Sequence, residues 1–367
     1  MATKRILHVI PTLDPHGSEK QLALLASRLP RDRFDVHVCA LTRGGPFEKE
    51  LKKAGIPVTV LHKRWKIDPI AYWKLKRHIK RLKPDLVQTW LFAANCYGRA
   101  AARRVGVERI VASERCVDQW KMWHEFAIDR RLAKHTDRIV VNSRAVREFY
   151  ISKQIPADKF TRISNGVLPA EVSKLDRSEL LAKLGARPNA RLIGTVCRLA
   201  PQKRVKELIW GLHQLRQLND DIHLVVIGDG PLRTALHRYA RLTNVGDRVH
   251  FLYTRLDVGQ WLPQFDVFWQ ASEYEGQSNS VMEAMAAGLP VVATEIPANR
   301  ELVVHGETGF LVPLDVRNAF ARRTLPILED AELARRLGDA GREKMQREFT
   351  VDQMVDRYTA LYVELLQ

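Results

Sequence analysis

Glu275 and Glu283 stand eight residues apart in the segment Glu275-Gly-Gln-Ser-Asn-Ser-Val-Met-Glu283, across a polar bend that runs into the helical pattern VMEAMAAG. On one continuous helix, eight residues turn through about 800°, which leaves the two carboxylates roughly 80° apart and without a tight pairing. If Glu275 instead closes a strand and Glu283 lies in the first turn of the next helix, both face one crevice. A helix start presents backbone N–H groups and partial positive charge, which suit a phosphate. Gly276, Ser278, Asn279 and Ser280 are small enough to let an anion approach that backbone. Glu283 would then accept hydrogen bonds from ribose hydroxyls. The same letters also satisfy a ligand-free reading, because Ser280-Val-Met-Glu283 is a formal S-x-x-E capping box.

Three further stretches bear on phosphate chemistry. In VCRLAPQKRVKELI, Arg198 ends a strand and Lys203 lies in the loop or first helical turn behind it. Two cations at the carboxyl edge of a parallel sheet neutralise a diphosphate as it becomes a leaving group, although most Arg and Lys are simply solvated. In HVIPTLDPHGSEKQ, Gly17 allows backbone to approach a phosphate or sugar, yet a turn needs glycine as well. The Gly-Asp-Gly-Pro of VVIGDGPLR reads as a tight turn between strand and helix. There is no G-x-G-x-x-G, Walker loop, G-x-S-x-G or H-E-x-x-H, and no Asp-x-Asp pair to clamp a divalent ion.

Short β-branched runs alternate with helical patterns and place these residues. RILHVI, DVHVCAL, PVTVL, DLVQTW, RIVAS and RIVVNS read as strands in the first half; RLIGTVCRL, HLVVIGDG, VHFLY, VFWQAS, PVVAT and GFLVP read as strands in the second. The rhythm predicts an α/β protein with two Rossmann-like, doubly wound parallel sheets. The expected domains are 1–168 and 191–349, joined by a Pro- and Asn-containing linker at 169–190. Ligands are then expected at the carboxyl ends of strands, in a crevice between the domains.

The net charge of +17 is uneven: residues 1–170 hold 34 Lys and Arg against 16 Asp and Glu, and the remainder 25 against 26. Such a field attracts polyanions: nucleic acid, anionic lipid or phosphorylated substrates. The stretch KRWKIDPIAYWKLKRHIKRLK mixes Trp65, Tyr72 and Trp73 with many cations, which suits an anionic membrane or, equally, a solvated helix face. No nucleic-acid motif accompanies the charge, so no nucleic-acid partner is expected. The four cysteines are scattered, and neither a signal peptide nor a membrane-spanning run is read, which predicts a cytoplasmic protein.

Taken in order, RLAPQKRVKELI, VVIGDGPLR and EYEGQSNSVMEAMAAGLPVVATEIPANRELVVHGETGFLVP resemble the retaining glycosyltransferases of the GT-B fold, family 4. FTVDQMVDRYTALYVELL resembles that family's terminal helix, which implies that 350–367 packs back on the first domain. The resemblance implies transfer of a sugar from a nucleotide-diphosphate donor to a hydroxyl acceptor, with no metal and no cofactor. Lipid-linked or surface-polysaccharide acceptors, and a peripheral position on the inner membrane face, fit the basic first half. Glu275 matches the glutamate beside the donor sugar and Glu283 the one on the ribose. The match implies that the backbone at Asn279 and Ser280 faces the distal phosphate and that Arg198 and Lys203 hold the diphosphate, and Gly17 matches the family's glycine loop in the first domain. Two departures stand out: His16-Gly17 where the family often has Gly-Gly, and Arg115 where it often has a histidine near the sugar. Arg115 is therefore a candidate donor to sugar or phosphate. An epimerase of the same architecture and a non-enzymatic polyanion binder are the alternative functions.

Overall fold

The computed structural model describes residues 3–218 and 221–367. The chain forms two compact units, Met1–Gly166 with Val351–Gln367, and Val167–Thr350. In the first unit the strands are β1 Lys4–Thr12, β2 Phe34–Arg43, β3 Val58–Val60, β4 Leu86–Trp90, β5 Arg109–Glu114, β6 Arg138–Val141 and β7 Phe160–Arg162. They form one parallel sheet in the order β3-β2-β1-β4-β5-β6-β7. Both faces are covered, which is why Ile6, Leu7, Val9 and Ile10 are apolar without alternation and fully buried. The six strands read from the sequence are present. The seventh, β7, escapes notice because three residues carry no periodicity.

The helix Val351–Leu366 belongs to this first unit and presents Met354, Tyr358, Leu361 and Tyr362 to its core. Its Tyr362 hydroxyl donates to Gln88 on β4, and Arg109 on β5 donates to the Leu365 carbonyl at 2.5 Å. The chain's last helix thus closes the face of a sheet made from its first half.

In the second unit, β8 Arg191–Val196, β9 Ile222–Ile227, β10 Val249–Phe251, β11 Val267–Gln270, β12 Val291–Thr294 and β13 Gly309–Val312 form a parallel sheet ordered β10-β9-β8-β11-β12-β13. Residues 169–190, read above as a linker, carry the helix Arg177–Lys183, whose Leu180 and Leu181 are buried in the core of this unit. Ile193 on β8 pairs with Leu224 on one side and Val267 on the other. Strand order therefore reverses between β8 and β11. At such a switch point the following loops diverge to opposite faces and leave a crevice at the carboxyl edge.

Candidate active site

The loops leaving β8 and β11 are stitched together by one residue. Gln202 donates from its side-chain amide to the Tyr274 carbonyl (2.6 Å) and accepts the Glu273 N–H on its own carbonyl (2.9 Å). This brings Lys203, at the end of the 3-10 turn Pro201–Lys203, against Glu275, and the two form an ion pair. Glu275 is buried and does not end a strand, since β11 stops five residues earlier at Gln270. Its Oε1 also accepts from Ser272 Oγ (2.7 Å) and Gln270 Nε2 (3.1 Å). Behind them, Asn299 Nδ2 donates to Gln270 Oε1 (2.7 Å) and the Thr294 carbonyl (2.8 Å), and Thr294 Oγ1 donates to the Ser272 carbonyl (2.5 Å). The carboxylate is held by a buried polar lattice, so its position is set before any ligand arrives.

The next backbone turn is fixed by glycine. Gly228 follows β9 at φ +136°, and a Cβ there would lie 1.9 Å from the Cys197 carbonyl oxygen. A Cβ on Gly230 would lie 2.5 Å from that of Leu199. The Gly-Asp-Gly turn thus packs backbone to backbone against residues 197–199 and orients the segment carrying Arg198. Arg198 is exposed and makes no ion pair among the described residues. Arg204, the residue between the turn Pro201–Lys203 and the helix Val205–Arg216, adopts φ +46° and is tied by its guanidinium to Asp315 and to Glu207 at 3.3 Å.

The helix Asn279–Ala286 begins beside Glu275 and buries Val281, Met282, Ala284 and Met285. Its N-cap is Ser278, whose Oγ accepts the Val281 N–H at 3.4 Å. The alternative reading of Ser280–Glu283 as a capping box does not hold, and the expected place of Glu283 is corrected: Ser280 is the second helical residue, and Glu283 the fifth, one turn in rather than in the first turn. Glu283 is half-buried on this helix, while Glu275 lies in the loop before it. Gly276 and Ser278 are buried; Asn279 and Ser280 are partly exposed at the helix start. The segment following β8 thus carries Arg198 and Lys203, the segment following β11 carries Glu275, Gly276, Ser278 and the helix with Asn279, Ser280 and Glu283, and the Lys203–Glu275 pair joins the two.

Two family descriptions match the sequence, "Glycosyltransferase Family 4" over residues 15–171 and "Glycosyl transferases group 1" over 176–344. The chain belongs to the family 4, group 1 glycosyltransferases. It is 26% identical over 359 residues to the UDP-Gal:alpha-D-GlcNAc-diphosphoundecaprenol alpha-1,3-galactosyltransferase of Escherichia coli, covering 92% of this chain and 91% of that one. A match to the N-acetyl-alpha-D-glucosaminyl L-malate synthase of Bacillus anthracis, 26% identical, spans 53% of this chain and about half (51%) of that relative. In fold the glycosyltransferase is similar to the crystal structure of Anabaena HepE in complex with UDP and glucose, with a TM-score of 0.88 at 23% identity over 98% of this chain and 100% of that one. That likeness identifies the architecture as GT-B.

Gly17 and Arg115 lie in the first unit of the glycosyltransferase. Gly17 is exposed and opens the helix Gly17–Arg28 after the loop from β1, with His16 as an extended N-cap. Arg115 follows β5 and is buried. Its guanidinium donates to Asn165 Oδ1 and, at 3.3 Å, to the Tyr358 hydroxyl, and lies 5.1 Å from the centre of the Trp90 ring. Burial pulls the pKa of this guanidinium down. With partners on the terminal helix and on the segment leaving β7, its observed contacts tie three segments of one unit.

Sequence reasoning passed over the supports of Glu275, namely Gln202, Gln270, Ser272, Thr294 and Asn299. Their signal is faint: a polar residue directly after an apolar strand, as in VFWQAS and VVATEIPAN, where an apolar or turn residue would serve packing equally well. It also passed over a buried cluster at the edge of β5. Lys121 Nζ donates to Asp129 (3.0 Å) and the Tyr150 hydroxyl (2.8 Å), with Glu114 at 3.5 Å and Asp118 at 3.3 Å, and Arg99 pairs with Asp129 at 2.7 Å. Three carboxylates thus meet two cations, and burial disfavours the surplus charge. Glu114 accordingly holds its proton to about 7.

Proposed function

We propose that this glycosyltransferase moves a sugar from a nucleotide-diphosphate donor to a hydroxyl acceptor with retention of anomeric configuration, and needs no divalent metal. The observation that carries the reading is the Lys203–Glu275 pair at the β8/β11 switch point, beside the start of the helix Asn279–Ala286. Lys203 and Arg198 meet the diphosphate, the backbone at Asn279 and Ser280 the distal phosphate, and Glu283 the ribose. Glu275 stands beside the sugar. The bond from the anomeric carbon to the phosphate oxygen breaks with its electron pair going to the diphosphate. A bond to the acceptor oxygen forms on the same face, and the acceptor proton passes to the departing diphosphate. Fixed cations and helix N–H groups stabilise the leaving anion without reorganising, which is how such sites lower a barrier. Gly17 is proposed to let its backbone approach a phosphate or sugar, and Arg115 to donate to sugar or phosphate.

The acceptor proposed is a lipid-linked or surface-polysaccharide intermediate at the inner membrane face, met through the basic first unit. The diphosphoundecaprenol in the name of the E. coli relative and the UDP in the HepE complex support this reading. No helix among the described residues is long and apolar enough to cross a membrane, so contact with a bilayer would be at its surface. Incubating the protein with nucleotide sugars, lipid-diphosphate acceptors and excess chelator tests it. Transfer with retained configuration by NMR is the expected result. Donor turnover in the absence of any acceptor would make the protein an epimerase, and stabilisation by oligonucleotides but by no nucleoside diphosphate would make it a polyanion binder.

A further inference from the structure

Among the described residues of the first unit, the large apolar side chains that are exposed fall in two stretches. Trp65 (58% exposed), Ile67 (81%), Ile70 and Trp73 form one; Trp120 (54%), Met122, Trp123 (76%) and Ile128 form the other. Four of the chain's eight tryptophans are among them. Scattered exposed apolar residues need no explanation, but a cluster of this kind marks an interaction surface.

Topology places the two stretches together. Trp65 and Ile67 lie in the loop leaving β3, and Trp120 to Met122 in the loop leaving β5, with Trp123 opening the helix Trp123–Ala133 that follows. In a parallel sheet all such loops emerge at one edge. Between them, the helix Leu91–Val105 leaves β4 and touches both: the Phe92 ring lies 5.3 Å from Trp120, and the Tyr97 hydroxyl accepts the Asp68 N–H at 2.6 Å. Tyr97 also packs edge-on to Tyr72 at 6.3 Å.

The second loop is folded inside out with respect to water. In Trp120-Lys121-Met122-Trp123 the three apolar side chains point outward, and the lysine between them is wholly buried in the Glu114–Asp129–Tyr150 cluster. Burying an ammonium is unfavourable unless it is paired, and exposing two indoles forgoes their burial. The pairing of Lys121 anchors the loop in this arrangement, so the aromatic display is built into the fold.

The first of the two stretches is cationic. Residues 61–83 hold nine Lys and Arg and a single acid, Asp68, which is buried as the N-cap of the helix Pro69–Leu82. The exposed indoles of this stretch, set among Lys and Arg, match the water–lipid boundary of an anionic bilayer: the ring enters the headgroup layer, and the cations meet phosphates.

We propose that the carboxyl edge of the first unit inserts its Trp65–Ile67 and Trp120–Trp123 loops into the interface of an anionic lipid bilayer. This deepens the membrane-surface part of the function proposed above, and it is tested by binding alone, so that failure of the transfer chemistry leaves it standing. The full-length protein is mixed with phosphatidylglycerol–phosphatidylcholine vesicles carrying bromine on the acyl chains. Binding by flotation, a blue shift with bromine quenching of tryptophan emission, and partial survival of binding at high salt are expected. The double variants Trp120→Ser/Trp123→Ser and Trp65→Ser/Trp73→Ser should each lower the vesicle partition coefficient by about tenfold or more. Leu242→Ser, which removes an exposed apolar residue of the second unit, should leave it unchanged. Denaturant unfolding of the first unit, unchanged in every variant, separates loss of binding from loss of fold. Binding that salt abolishes without bromine quenching would overturn the proposal, as would binding indifferent to the tryptophan variants. Tryptophan-dependent self-association without lipid would also overturn it, by assigning the surface to a second copy.

Discussion

Each sheet of this glycosyltransferase holds a lysine–carboxylate cluster at its carboxyl edge, and the two clusters differ in exposure and balance. In the second unit Lys203 keeps 20% of its side chain open, and its partner Glu275 is wrapped by neutral donors. In the first unit Lys121 has no exposure and is ringed by Glu114, Asp118 and Asp129. A cation that must receive an arriving diphosphate has to be reachable. A cation that holds a loop closed has to be saturated. Similar residue types on similar topology therefore separate into a partly open pair, proposed above to meet the donor, and a closed structural anchor, and solvent access distinguishes the two.

The largest expected effect falls on the anchor. Lys121→Met leaves its carboxylates buried without their central cation and should destabilise the first unit by about 3–5 kcal/mol, read by denaturant unfolding. Stabilisation of the second unit by UDP should persist. If unfolding is unchanged, the contrast between the two lysines is lost. Next comes Glu275→Gln, expected to lower the transfer rate by about 10²–10³ while UDP binding is kept or strengthened, because Lys203 loses its internal partner. Calorimetry with UDP alongside initial rates checks both parts, and a parallel collapse of UDP affinity would assign Glu275 to nucleotide binding.

Arg198→Ala should weaken nucleoside diphosphate binding by about tenfold, as loss of a charge-assisted hydrogen bond does, and leave binding of the uncharged nucleoside unaltered. The smallest effect expected is a slope. Glu114 titrates near 7 when folded and near 4.5 otherwise, so across that window the folded chain keeps a proton that the unfolded chain releases. Stability contributed by this group is complete below the unfolded value and is lost as pH rises toward about 7. Thermal midpoints measured from pH 5 to 7.5 should fall more steeply in the native protein than in Glu114→Gln. Parallel curves would place the surplus proton elsewhere in the cluster.

Much of the fold was legible because it rests on local periodicity. Buried strands such as HLVVIG announce themselves by unbroken apolar runs, and all six strands of the second sheet were readable. β7 was not, being three residues long and defined by its pairing with β6. At the site, Glu275, Glu283, Arg198 and Lys203 stood out by type and spacing. The role of Ser278 as cap did not, because several small polar residues in a row fit the same pattern and only backbone dihedrals choose among them. Arg115, singled out through the family resemblance, has a partner that no local pattern foretells: Tyr358, 243 residues away in sequence, takes one of its hydrogen bonds.

By itself, then, the sequence determined the alternating α/β order, the charge asymmetry between its halves, and the residue types able to meet a diphosphate. These follow from composition and from patterns spanning one or two turns. Only the tertiary structure decided that Lys203 meets Glu275, that Lys121 turns inward while its tryptophan neighbours turn outward, and that the last helix completes the first sheet's core. Those outcomes depend on which distant groups share a low-dielectric interior. Burial reverses the preference a charged or apolar side chain shows when its neighbours along the chain are all that surround it.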